Sequence, residues 1–198
     1  MHHVERPEHG HDPNLIPPAP GELELIRSFL SLHEHAGDRI HSLPPSPGTM
    51  AWWFRSHRLI DEDDPTTEDD LAWSTALQED LRGTVLREGG RPGDPEAATR
   101  LNEAAREAGI EIRFANGGAS GFETKAAGIH GAIGRLLGIA FLAELDGSWT
   151  NLKACGSDEC RSVFYDRSKN RSGKWCSMQT CGNRAKVRAF RERNASSP

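Results

Sequence analysis

Four cysteines constrain this chain more than any other feature. All lie in its last fifth, as two C-x4-C pairs, Cys155/Cys160 and Cys176/Cys181, with fifteen residues between the pairs. Soft thiolates on two loops suit a tetrahedral zinc ion whose ligands all come from the protein. Disulfides and a redox thiol are the competing readings. Symmetric pairs beside a basic segment, in a sequence without an export signal, favour zinc. Four protein ligands close the shell and leave no position for a reactive water, so one structural Zn2+ is expected. A module of about forty residues is near the size at which a metal replaces an adequate apolar core.

The segment between the pairs reads as a hairpin. Val163, Phe164 and Tyr165 are β-prone, residues 166–173 are polar and turn-like, and Lys174-Trp175 leads back to the second pair. Trp175 is the expected centre of the small finger core. Ser177 is placed to cap a following helix whose first turns hold Cys181. On that helix Thr180, Val187 and Phe190 form a narrow apolar edge, expected to pack on the ribbon, and Arg184, Arg188 and Arg191 recur at i, i+4, i+7. Gly182 is expected to let the helix approach the ribbon, so a bulkier residue there should loosen the metal.

Charge is strongly segregated. Residues 151–198 carry eleven Lys/Arg against four Asp/Glu, whereas the first 150 carry thirteen against twenty-five, a formal charge of −12. A basic end on an acidic chain points to nucleic-acid contact confined to that end. The candidate contacts are Arg171, Lys174, Asn183, Arg184, Lys186, Arg188 and Arg191. Duplex DNA is the favoured partner. An RNA-binding module, with Phe164, Tyr165 or Trp175 stacking on bases, and a protein-interaction module are the alternatives. No Ser-His-Asp or Cys-His constellation suggests an enzyme, and His130 reads as a packed or capping histidine.

The spacing C-x4-C, the phrase D-R-S-K-N-R-S-G-K-W (166–175) and C-S-M-Q-T-C-G-N-R-A-K-V-R (176–188) together resemble the CGNR zinc finger. In that family the finger follows an ABATE domain, and the resemblance implies a bacterial transcription regulator associated with stress responses.

The rest of the chain reads as mainly helical. Residues 1–20, rich in His and Pro, suggest a flexible tail. An amphipathic helix is expected at 21–32, followed by a solvated loop around His33, His35 and His41. A short helix over 50–60 places Met50, Trp53 and Phe54 on one side. Thr66 or Thr67 caps a long helix through Glu88, and Asp94-Pro95 opens the next, running to Ala108. Ile110–Phe114 alternates as a strand, Asn116-Gly117-Gly118 turns, and residues 121–124 pair back. The apolar segment 125–145 is a helix whose Gly128, Gly131, Gly134 and Gly138 imply close approach by a neighbour.

GELELIRSFL (21–30), W-x-R-x-x-x-L-I (53–60) and Leu101-Asn102 make this part similar to the ABATE domain, although Ser31-Leu32 stands where that family has Asn-Thr. The expected fold class is therefore mainly α with a small β-hairpin, then a four-cysteine zinc ribbon and a basic helix. The expected divisions are a tail over 1–20, an ABATE-like domain over 21–150, a CGNR-type finger over 151–194 and a tail over 195–198. A small-molecule effector at the helical domain and a homodimer both stay open. No membrane partner is expected, and the expected compartment is the cytoplasm.

Overall fold

The computed structural model of the chain describes residues 16–35, 42–88, 90, 92–118, 120–157 and 160–195. Residues 1–15 of the tail expected at 1–20, His41, and residues 196–198 of the tail expected at 195–198 lie outside them.

Helix α1 (Leu23–Leu30) buries Leu23, Ile26, Phe29 and Leu30, the face its periodicity predicts. The last carbonyls of a helix have no intrahelical donors, and Gln78 supplies them here. Its amide donates to the carbonyls of Phe29 at 2.6 Å and Leu32 at 3.0 Å. The first residues of the expected solvated loop after α1 are instead packed or paired. His33 is buried, with Nδ1 2.5 Å from the Ser31 carbonyl, and β1 (Glu34–His35) pairs antiparallel with β2 (Ser42–Leu43). Position 33 accommodates a histidine because a backbone carbonyl satisfies its ring nitrogen.

Helix α2 (Pro47–Ser56) starts at Ser46, whose hydroxyl accepts the Thr49 N–H, with Pro47 in the first turn. Its Trp53 and Phe54 pack on Phe29 of α1, with ring centroids 5.1 and 6.1 Å away. Helix α3 (Glu68–Glu88) opens on a reciprocal cap between Thr67 and Asp70, each accepting the other's N–H at 3.1 Å. Helix α4 (Ala97–Ala108) ends at Gly109, whose φ of 61° suits glycine.

Strand β3 (Ile110–Arg113) and β4 (Gly121–Thr124) form an antiparallel hairpin that lies along α5 (Gly128–Leu145). The glycines of α5 explain how closely. A Cβ on Gly134 would collide with Ala108 and Thr124, and one on Gly138 with the Phe122 ring. Gly128 differs: it has φ +57° and open space around it, so it serves the turn into the helix. Helix α5 is long and apolar enough by composition to cross a bilayer, but most of it is buried inside the fold. Its Ile133 and Leu136 are fully sealed in one core with residues of α1, α2 and α3.

A 3-10 turn (Ser148–Asn151) leads to β5 (Leu152–Ala154), which pairs with β6 (Val163–Tyr165). A π-helical turn (Met178–Gly182) precedes helix α6 (Asn183–Ala195). The architecture is mainly helical with small hairpins and a C-terminal four-cysteine module followed by a helix.

Candidate metal centre and nucleic-acid interface

The two C-x4-C pairs meet. Cys155, Cys160, Cys176 and Cys181 are all buried, and their four sulfurs lie within 4.8 Å of one another. The Cys160–Cys176 and Cys176–Cys181 separations are both 3.8 Å. A tetrahedron of metal–sulfur bonds of about 2.3 Å has edges of about 3.8 Å, so the thiols stand where a zinc ion needs them. None is oxidised to a disulfide. The donor set fits one structural Zn2+ held by these four side chains, which supplies cross-linking and no reactive position.

The local backbone differs from the expected hairpin. The strands that pair are β5 and β6, on either side of the first cysteine pair, with Leu152 opposite Tyr165 and Ala154 opposite Val163. The first C-x4-C is thus the hairpin's own loop, and Lys174-Trp175 does not return as a strand. Just past the strands, the Cys155 N–H donates to the Ser162 carbonyl at 2.9 Å, and the Cys160 N–H to Ser157 at 3.0 Å. The second pair joins through Gly156, whose N–H donates to the Lys174 carbonyl at 2.8 Å. Ser177 does cap the second knuckle, but with its carbonyl, which accepts the Gly182 N–H at 3.0 Å; its hydroxyl makes no cap bond.

Electrostatics favour a metal here. Donation from the Cys155, Cys176 and Cys181 thiols holds Cys160 below the usual thiol range. The same cluster, Cys155 first, pushes Cys176 far above it. Crowded thiols without a cation cannot all ionise, and a divalent ion removes that conflict.

The polar stretch 166–173 is ordered by one carboxylate. Asp166 is buried and accepts from the Lys153 ammonium at 2.7 Å, the Ser168 N–H at 2.9 Å and the Gly173 N–H at 2.8 Å. Burial alone would raise its pKa, but Lys153 and these donors outweigh that and hold it well below the carboxylate range.

The finger's apolar content is small: Phe164 is buried against the thiols and Trp175 packs on them half-buried, as expected for Trp175. A third member, Ile16, comes from the segment before α1 and is 6 % exposed. Residues 16–20, read by composition as the end of a tail, are therefore packed: Ala19 enters the main core and the Pro18 carbonyl accepts from Arg167 at 2.7 Å. One isoleucine in a Pro-rich stretch carries no periodic signal, so sequence reading had no handle on it.

The finger is also tied to the helical body. Ser31, just after α1, accepts the Val163 N–H and donates to the Val163 carbonyl, both at 2.9 Å. Glu79 and Arg82 of α3 bind Arg161, through its guanidinium and its carbonyl respectively.

Each nucleic-acid candidate lies at the surface. Arg171, Lys174, Asn183, Arg184, Lys186, Arg188 and Arg191 are all exposed. Arg171 donates to Thr150 at 3.0 Å and Asn183 to the Gln179 carbonyl at 3.2 Å. Lys153, Arg161 and Arg167 are engaged within the chain, whereas Lys174, Arg184, Lys186, Arg188 and Arg191 have no ion-pair partner among the described residues. The apolar edge assigned to α6 does not pack as expected. Val187 and Phe190 are 49 % and 57 % exposed, and the half-buried positions are Ala185 and Ala189 on another face. Gly182 is less cramped than expected, since a Cβ there would meet mainly the mobile end of exposed Met178 and the rim of Trp175.

In the body, an open groove of about 820 Å3 lies between α3, α4 and α5, floored by Leu81, Leu101, Ala105 and Leu137. His130, read as a packed or capping histidine, stacks on Trp73 with centroids 4.4 Å apart and Asp70 3.5 Å away.

Comparison with protein families agrees with this geometry at both ends of the chain. Residues 151–194 match the CGNR zinc finger. Residues 22–143 match the ABATE domain, described as "Putative stress-induced transcription regulator". No curated protein matches the chain significantly. Matched over most of its length by the second of these models, with the four-thiol cluster inside the first, the chain belongs to the ABATE family and carries a CGNR zinc finger at its C-terminal end.

Proposed function

We propose that this protein regulates transcription by binding duplex DNA through the zinc-held finger and α6, with the helical body as the sensing part, in the cytoplasm. The observation that carries the reading is the set of unpaired cationic side chains on α6, Arg184, Lys186, Arg188 and Arg191, projecting from the metal centre. An exposed helix of thirteen residues is short enough to enter a major groove, where arginines grip phosphates or guanine edges. The acidic body would repel the backbone and restrict contact to this end. Single-strand stacking has less support, because Phe164 is sealed against the thiols and Trp175 is half-buried there. With its coordination closed by four cysteines, the metal is assigned no catalysis. The groove beside α5 is the place this reading gives to an effector.

Binding of the zinc-loaded protein to random duplex DNA, measured across a salt series, tests it. Contact with four or five phosphates gives a slope of roughly −4 in log K against log salt. Replacing Arg184, Arg188 and Arg191 with alanine should reduce that slope to roughly −1. A flat response, or normal binding by the triple variant, sinks the reading.

A further inference from the structure

The hairpin β3–β4 leaves apolar surface uncovered. Ile112 is 75 % and Phe114 86 % exposed, whereas on the adjacent strand Phe122, opposite Ile112, and Thr124, opposite Ile110, press against glycines of α5. Ile110, at the start of β3, packs against the main core, but the strand beyond it is left uncovered. From Ile112 onward the outer strand is left with its apolar residues in solvent.

The backbone at this edge is open as well. At the start of the hairpin the Lys125 N–H donates to the Gly109 carbonyl, one residue before the Ile110–Thr124 pair. Antiparallel ladders alternate, so Glu111 and Arg113 bond to β4 while Ile110 and Ile112 turn their N–H and C=O groups to the free edge. Phe114 continues the alternation. Edge strands normally carry a lysine, a proline or a bulge that discourages pairing. This one has none of them between Ile110 and Phe114.

We propose that this edge pairs with the same edge of a second copy, β3 against β3 about a twofold axis through Ile112. The sequence Ile110-Glu111-Ile112-Arg113-Phe114 is self-complementary in that register. Ile112 faces Ile112, Ile110 faces Phe114, and Glu111 faces Arg113 of the second copy. All outward-pointing backbone groups find partners at once, because the residues that meet as bonded pairs are the ones with free groups. The apolar side chains of both copies fall on one face and cover each other. On the opposite face charge decides the register. Glu111 already lies across from Glu123 within the hairpin, relieved by Lys125 at 2.5 Å, while Arg113 reaches Glu123 at 3.1 Å. An antiparallel second strand places a guanidinium directly opposite Glu111, whereas a shift by one residue would set apolar side chains opposite charged ones and a shift by two would oppose Glu111 to Glu111 or Arg113 to Arg113. This association is independent of nucleic-acid binding.

Sedimentation equilibrium on the full zinc-loaded chain tests it. The wild type should dimerise, and Glu111→Arg or Arg113→Glu alone should each weaken the dimer by about thirtyfold, since each sets two like-charge pairs face to face. Mixing the two variants in equal amounts should restore dimers, because every pair across that mixed interface is of opposite sign. Both side chains are exposed, so the fold survives the substitutions, and rescue on mixing confirms it. A wild type that stays monomeric at about 100 μM overturns the proposal and leaves the edge to another chain or to residues 1–15. A dimer indifferent to both single variants, or variants that fail to rescue each other, overturns it equally.

Discussion

In the helical body, Phe29, Phe54, Ile133 and Leu136 are sealed from solvent in one apolar core, whereas the finger has Phe164, Ile16 and half of Trp175 around four thiols. The body buries enough to fold on the hydrophobic effect. The finger does not, and a metal takes the place of the missing interior. The strand between them belongs to both. Along β6, Val163 faces the body, Phe164 the thiols and Tyr165 the body again, so the twofold pleat of one strand builds two cores. A boundary that sequence composition puts near residue 150 is, in three dimensions, a shared wall.

That contrast can be broken most forcefully by removing the metal. Chelation, or Cys176→Ser, should withdraw on the order of 10 kcal/mol of zinc-binding free energy from the finger alone. Amide exchange should show residues 174–193 losing protection while residues 129–140 keep theirs. Simultaneous loss in both would mean that the finger's metal also supports the body. Gly138→Val makes the converse test. The added carbons strike the Phe122 ring, at a cost of about 3 kcal/mol to the body in urea unfolding, with zinc stoichiometry unchanged.

The shared wall is probed by Ser31→Ala. Val163 is fully buried, and both of its backbone groups lose a partner, for a cost of about 2 kcal/mol. Because the bond spans both regions, thermal unfolding of the body and the rate of zinc release should change together. The smallest effect belongs to Asp166→Asn, about 1.5 kcal/mol and confined to the finger. Since the folded pKa of Asp166 is depressed, its contribution is complete above the ordinary carboxylate value near pH 4 and fades as pH falls through the folded value. The wild type and the variant should therefore differ in stability at pH 6 and converge in strong acid.

The helices and the metal ligands were legible in the chain because each obeys a local rule. Thr67 and Asp70 announce a cap, Gly109 a stop, and the cysteine spacing a site. Residues whose roles depend on distant partners were not. Leu152 to Ala154 has no strand pattern of its own; it is a strand because Leu152 fills the body and Val163 pairs beyond the loop. Ile16 joins the thiols from the far end of the chain. Val187 and Phe190 look like an inward edge on α6, yet both stand in solvent. Ser31 stands where the family has an asparagine, and its task appears only when Val163 is seen beside it.

The pair of hydrogen bonds between Ser31 and Val163, with Arg161 fastened to α3, carries a mechanical implication. A finger of this kind on a loose tether would swivel freely, leaving its cargo to drift. Here the hinge is locked, so a body riding on a docked finger holds a fixed bearing to whatever surface the finger grips. A change in the packing of α1 would then be felt at β6, and through it at the thiol cluster that Phe164 lines.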